Sequence, residues 1–162
     1  MHIVYILLGG NIGNTAHFFQ LAQSQLNEIT GRVIQASSYY ESEAWGFEAE
    51  QNFLNQVLVL ETKLPPFEFL LQTQSIEKTI GRSKKTGTQG YESRKIDIDI
   101  LFYDDLIIDT PNLCIPHPRL HFRRFTLEPL NEIAPDFNHP QLLKSMQALL
   151  SECPDNSPVQ KK

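Results

Sequence analysis

Cysteine is scarce in this sequence. Of 162 residues only Cys114 and Cys153 carry a thiol, and neither stands in a CxxC pair or a Cys/His cluster. That excludes a disulfide scaffold and a structural zinc site, and it points to a reducing, cytoplasmic setting. Long hydrophobic runs are missing too: nothing approaches the roughly 20 apolar residues of a membrane span. The chain opens straight into the strand-like His2 to Leu8, without a basic leader or a small-residue cleavage site, so no membrane partner is expected. Positive charge is in deficit, with 14 Lys and Arg against 19 Asp and Glu for a net charge of −5. A broad nucleic-acid surface needs the reverse. The composition of a disordered chain is also absent, since 41% of residues are hydrophobic and 20% charged. The length predicts one domain over residues 1–153 and a monomer. The polar, Pro-containing stretch 154–162 is expected to be a frayed tail without function.

Hydrophobic spacing supplies the elements. Ile3 to Leu8 reads as a strand covered on both faces, broken by Gly9, Gly10 and Gly13. Phe18, Leu21, Ala22, Leu26 and Ile29 keep helical spacing, with Asn14 or Thr15 as N-cap and Gly31 as the stop. Arg32 to Tyr40 and Phe53 to Thr62 read as strands, and 41–52 as a loop. Pro65 and Pro66 open a second helix through Phe69, Thr73, Ile76 and Ile80, which Gly81 ends. Lys95 to Tyr103 is a strand, Leu106 to Ile108 a short one, and Leu127 to Ile133 and Gln141 to Leu150 are helices. The order is that of an α+β, ferredoxin-like βαββαβ core: a mainly antiparallel sheet with helices packed on it, short C-terminal additions, and one face or its loops left for ligand.

Asp97 and Asp99 carry the strongest chemical signal. Strand alternation puts both on one face about 6 to 7 Å apart, with Ile96, Ile98 and Ile100 on the other. Paired hard carboxylates suit magnesium shared with phosphates. Alternation alone leaves open two solvated aspartates, or ones paired with Arg94 and Lys95. Immediately upstream, residues 81–95 hold five cations, Arg82, Lys84, Lys85, Arg94 and Lys95, against the single anion Glu92. Cations beside a carboxylate pair are what phosphoryl transfer uses to neutralise developing charge. Arg119, Arg123 and Arg124, with His117 and His121, form a second cationic group that by itself reads as a surface patch. Gly9-Gly10-Asn11-Ile12-Gly13 lacks the Lys-Ser/Thr of a P-loop, so a tight turn without ligand is the favoured reading.

These residues also carry a resemblance. Leu8-Gly9-Gly10-Asn11-Ile12-Gly13, Phe53-Leu54-Asn55, Gln74 with Ile76-Glu77 and Gly81-Arg82, Ser93 through Leu101, and Ile115-Pro116-His117-Pro118-Arg119-Leu120 continuing to Arg123, Phe125 and Glu132 to Pro135 resemble the 6-hydroxymethyl-7,8-dihydropterin pyrophosphokinases of folate biosynthesis. The resemblance implies transfer of the terminal pyrophosphate of ATP to the hydroxymethyl group of the reduced pterin, giving AMP, with two Mg2+ ions. It implies that Asp97 and Asp99 hold the metals and, with Arg82 and Arg94, form the catalytic set. ATP would meet Gln74, Glu77, Lys84, Tyr91, Arg94, Ile100, His117 and Arg123. The pterin would meet Ser42, Glu43, Trp45, Phe53, Asn55, Asp97 and Phe125. The chain departs from the family's usual pattern at Tyr91-Glu92-Ser93-Arg94, Lys84, Ser42-Glu43 and Phe53, and Lys84 keeps the charge there without a bidentate fork. Competing readings are a DxD-type nucleotidyltransferase and a non-catalytic ligand-sensing module.

Overall fold

Apolar alternation on three neighbouring strands decides the architecture. The computed structural model describes residues 1–43, 51–81 and 95–162. At the centre of the sheet, β1 (His2–Gly10) runs antiparallel to both β4 (Phe53–Thr62) and β5 (Asp97–Tyr103). β2 (Gly31–Ala36) and β3 (Tyr40–Ser42) pair with successive stretches of β4 on its far side. With α1 (Thr15–Ile29) and α2 (Pro66–Gly81) as crossovers, this is the expected ferredoxin-like core. A hairpin of β6 (Ile108–Asp109) and β7 (Cys114–Ile115), a 3-10 turn at Leu120–Phe122, α3 (Arg124–Ile133) and α4 (Met146–Ser151) follow. Among the described residues no helix is long and apolar enough to cross a membrane.

Even-numbered Val4, Ile6 and Leu8, Leu58 and Leu60, and Ile98 and Ile100 form one face, which buries Phe19, Ala22 and Leu26 of α1 and Phe69 and Ile76 of α2. Odd-numbered Leu7, Val57 and Leu101 form the other, against Leu127 and Leu130 of α3, Met146 and Leu149 of α4, and Cys153. The C-terminal additions therefore cover much of the face expected to stay open, and Ile3 to Leu8 is covered on both sides as its composition requires. A β-bulge sets the far end of β5: Tyr5 opposes Phe102 but Ile6 opposes Ile100, leaving Leu101 extra. Leu101 and Phe102 thus both join the second-face cluster, and Tyr103 turns to the first.

Several boundaries differ from the sequence reading for local reasons. Asn14 caps α1, its side chain accepting the His17 N–H at 3.2 Å, but Thr30 closes that helix and Gly31 already belongs to β2. The single strand expected over Arg32 to Tyr40 is cut after Ala36, where Ser37 Oγ accepts the Val57 N–H at 2.9 Å and takes over part of the ladder. In 141–144 the amides of Gln141 and Leu142 donate to His139 Nδ1 at 3.1 and 3.0 Å, so a turn replaces the first half of the expected helix and Ser145 caps what remains. The tail is the main correction. Residues expected to fray instead form β8 (Val159–Lys161), an outer strand antiparallel to β3.

Candidate active site

Parity extends the second face beyond its apolar part. Asp97 and Asp99 share the side of Leu101, and both are half-buried, while Ile96, Ile98 and Ile100 are 4–5% exposed on the opposite side. From α2, Glu77 Oε2 accepts the Ile98 N–H at 2.7 Å. Glu77, expected at the nucleotide, thus also fixes the outer edge of the strand midway between the two aspartates. Backbone groups two residues apart in an antiparallel ladder point the same way, so the N–H and C=O of Ile100 also face outward. Gln74 is exposed one turn before Glu77.

Across the sheet, Gly9 pairs with Asn55 on one side and with Asp97 on the other. All three lie on the second face, so Asn55 and Asp97 stand about 10 Å apart, two strand spacings, over a floor with no side chain. Asn55 is 2% exposed and its Nδ2 donates to Ser42 Oγ at 3.0 Å. Its Oδ1 leans over the glycine, where a Cβ would come within 3.3 Å of it. At Gly10 a Cβ would stand 2.4 Å from the Lys95 carbonyl, so the approach of β1 to the start of β5 requires glycine there. Phe53, half-buried, pairs with Ser42, and Glu43 is exposed just past β3. The glycines therefore do more than turn the chain, since only Gly13, with φ +67°, serves the turn. Sequence reasoning missed Gly9 because its meaning depends on what pairs with it from both sides.

The His117 segment is hooked to the bulge, with the His117 N–H donating to the Leu101 carbonyl at 3.0 Å. His117 Nδ1 accepts the Arg119 N–H at 3.2 Å, which leaves the ring proton on Nε2. Burial, and then the nearby Arg123 and Arg119 guanidiniums, push the His117 pKa down to about 4, so the ring is a neutral donor in a positive surround. Arg123 is 8% exposed, and its guanidinium carbon lies 5.6 Å from the centre of the Phe125 ring. The structure thus gathers Ser42, Phe53, Asn55, Asp97 and Asp99 on one face, puts Glu77 and Ile100 along one strand edge, and ties His117 to the far end of that strand. Trp45, Arg82, Lys84, Tyr91 and Arg94 lie outside the described residues.

A helix brace missed by the sequence reading completes this side. Glu132 of α3 accepts the Ser38 N–H at 2.8 Å, the Ser38 hydroxyl at 2.7 Å and the Tyr40 hydroxyl at 3.1 Å, fixing the helix to the approach to β3. Burial raises the Tyr40 hydroxyl pKa, aided by this bond, so Tyr40 stays a donor.

Residues 5–135 match the family model for 7,8-dihydro-6-hydroxymethylpterin-pyrophosphokinase. The chain is 41% identical over 152 residues to the 2-amino-4-hydroxy-6-hydroxymethyldihydropteridine pyrophosphokinase of Aquifex aeolicus, covering 94% of this chain and 92% of that one. It is 39% identical over 142 residues to the enzyme of the same name from Porphyromonas gingivalis, covering 87% and 96%. Among solved structures, wild-type HPPK-DHPS of Plasmodium falciparum superposes with a TM-score of 0.76 at 17% identity, covering 93% of this chain and 44% of that one. At that identity the likeness concerns the fold.

Proposed function

This chain belongs to the 7,8-dihydro-6-hydroxymethylpterin-pyrophosphokinase family, and from that membership we propose how its residues carry the reaction. The enzyme transfers pyrophosphate from ATP to the hydroxymethyl group of 6-hydroxymethyl-7,8-dihydropterin in folate biosynthesis, giving AMP and the pterin diphosphate. The pterin hydroxyl oxygen bonds to the β-phosphorus, the bond from that phosphorus to the oxygen of the α-phosphate breaks, and the hydroxyl proton is released. The observation that carries the site reading is the row Asn55, Gly9, Asp97. A flat heterocycle lies over the bare floor with donors of its edge on Asn55 Oδ1, the acceptor left over once Nδ2 is committed to Ser42. Its hydroxymethyl arm then points toward Asp97.

Asp97 and Asp99 are the proposed seat of magnesium, two ions in this reading. Half-exposed hard carboxylates on one face leave room for the waters and phosphate oxygens that the ion prefers. Bound there, magnesium supplies charge neutralisation on the transferring group. ATP lies along the outer edge of β5, with its base toward the outward backbone of Ile100, Gln74 and Glu77 beside it, and His117 Nε2–H and Arg123 as donors to its oxygens. Phe53 and Phe125 flank the pterin, with Trp45 and Glu43 closing it. Arg82 and Arg94 stabilise the transferring group, and Lys84 and Tyr91 contact ATP. The proposal includes a monomeric, cytoplasmic enzyme, its two thiols being free.

Incubation with ATP, magnesium and the reduced hydroxymethylpterin tests the reading through its nucleotide product. AMP is expected. ADP would mark an ordinary kinase, and released pyrophosphate a nucleotidyltransferase.

A further inference from the structure

Cys153 is buried in the second-face core, and from it the chain runs back over α3 and β3. Asp155 Oδ2 accepts the Arg124 N–H at 3.1 Å, and the Asp155 main-chain oxygen accepts Arg124 Nε at 2.8 Å. Arg124 is the first residue of α3, and Arg123, in the N-cap position, makes no side-chain cap bond. The acceptor for the start of this helix therefore comes from 31 residues downstream. The Ser157 N–H, at 2.9 Å from the other Asp155 oxygen, fixes the carboxylate from behind.

Farther along, β8 pairs residue by residue with β3, and the Lys162 N–H donates to the Tyr39 carbonyl at 2.8 Å. Lys162 Nζ meets Glu41 at 2.6 Å, and Lys161 Nζ meets Glu132 of α3 at 3.3 Å. Exposed ion pairs of this kind contribute little, so the ladder and the cap carry the attachment. Both elements held this way carry pterin-side residues. Phe125 is in the first turn of α3, and Ser42, bonded to Asn55, ends β3.

We propose that residues 155–162 are a strap setting both walls of the pterin subsite, with Asp155 as the positioning residue for Phe125. The inference rests on the reaction assigned above. A helix start that loses its acceptor leaves the Arg124 amide unsatisfied and frays, and fraying of α3 displaces Phe125 in its first turn. A purely structural Asp155 would instead lower the amount of folded enzyme, reducing kcat and leaving KM where it was.

Asp155→Ala and Asp155→Asn, compared with the wild type by steady-state kinetics and thermal melting, decide the point. Asp155→Ala is expected to raise the KM for the pterin about 3- to 10-fold with kcat little changed. Asp155→Asn, which keeps an oxygen for the Arg124 N–H, should recover most of that loss. If the alanine variant does not fold, Asp155→Glu carries the same test, since its extra methylene displaces the acceptor and should raise the pterin KM. Wild-type turnover with a pterin KM unmoved by these changes, or an asparagine variant no better than alanine, overturns the strap. A wild type that forms no AMP overturns the reaction itself, and the inference with it.

Discussion

The two faces of the sheet use the same strands differently. On the first, aliphatic side chains run along β1 from Val4 to Leu8 and from Ile96, just before β5, to Ile100, and two amphipathic helices close over them. On the second, the aliphatic part stops at Leu7 and Val57, and the next positions are Gly9, Asn55, Asp97 and Asp99. One face is packing throughout, and the other turns polar where its packing ends. Substitutions should divide accordingly between those that unfold the protein and those that silence it.

The largest expected effect is on the chemical end. Asp97→Ala and Asp99→Ala should each lower turnover by about 1,000-fold or more at saturating magnesium, with little change in melting temperature, because each deletes a half-exposed carboxylate proposed to hold magnesium and neither is part of the aliphatic core. A near-wild-type rate in either variant, with circular dichroism confirming its fold, would remove the metal assignment. On the packed face the balance should reverse. Leu8 is fully buried, and Leu8→Ala should cost about 2 to 5 kcal/mol of stability in urea titrations. Turnover per folded molecule should fall much less, and a loss of rate exceeding the loss of folded protein would blur the division between the faces.

The smallest effect concerns acid. His139 packs against Phe102, and His121 lies near His139 on the same side. Burial first, then neighbouring positive charge at His117 and the His121 ring at His139, push the pKa values of His117 and His139 down to about 4, and burial lowers that of His121. All three pKa values lie below the ordinary imidazole value of about 6.5, so the unfolded chain takes up protons first. Their contribution is therefore complete above about pH 6.5 and is lost as pH falls toward 4. A decline on the order of 1 to 3 kcal/mol between pH 7 and pH 5 is expected, with amides of α3 and α4 exchanging before those of α1. A urea midpoint equal at the two pH values would contradict it.

What was legible in the sequence follows the range of the interactions involved. β1, α1, β4, α2 and β5 announce themselves because periodicity and Gly or Pro boundaries are local, and Asp97 and Asp99 because alternation is local too. The split between β2 and β3 was not legible: it depends on Ser37 bonding to Val57, 20 residues away. Nor was the tail, whose polar composition reads as disorder until Glu41, Glu132 and Arg124 are seen beside it. Gly9 falls between these cases. Its residue type is visible, but its role as the floor between Asn55 and Asp97 exists only once three strands are side by side.

The extra residue at Leu101 works as a phase shift. Upstream of it odd numbers carry carboxylates and even numbers carry isoleucines, and downstream the assignment is inverted, so that Tyr103 can stack edge-on against Phe69 of α2 at 5.9 Å. A slip of one residue upstream would push two carboxylates into an aliphatic layer, whereas the inversion point itself is latched by the His117 amide. Length changes in this strand are consequently not equivalent. A one-residue slip of the stretch before Leu101 exchanges the acidic and aliphatic sets, while deleting Leu101 itself restores regular pairing and keeps the aspartates in register, at the cost of the latch and of one buried side chain in the second-face core.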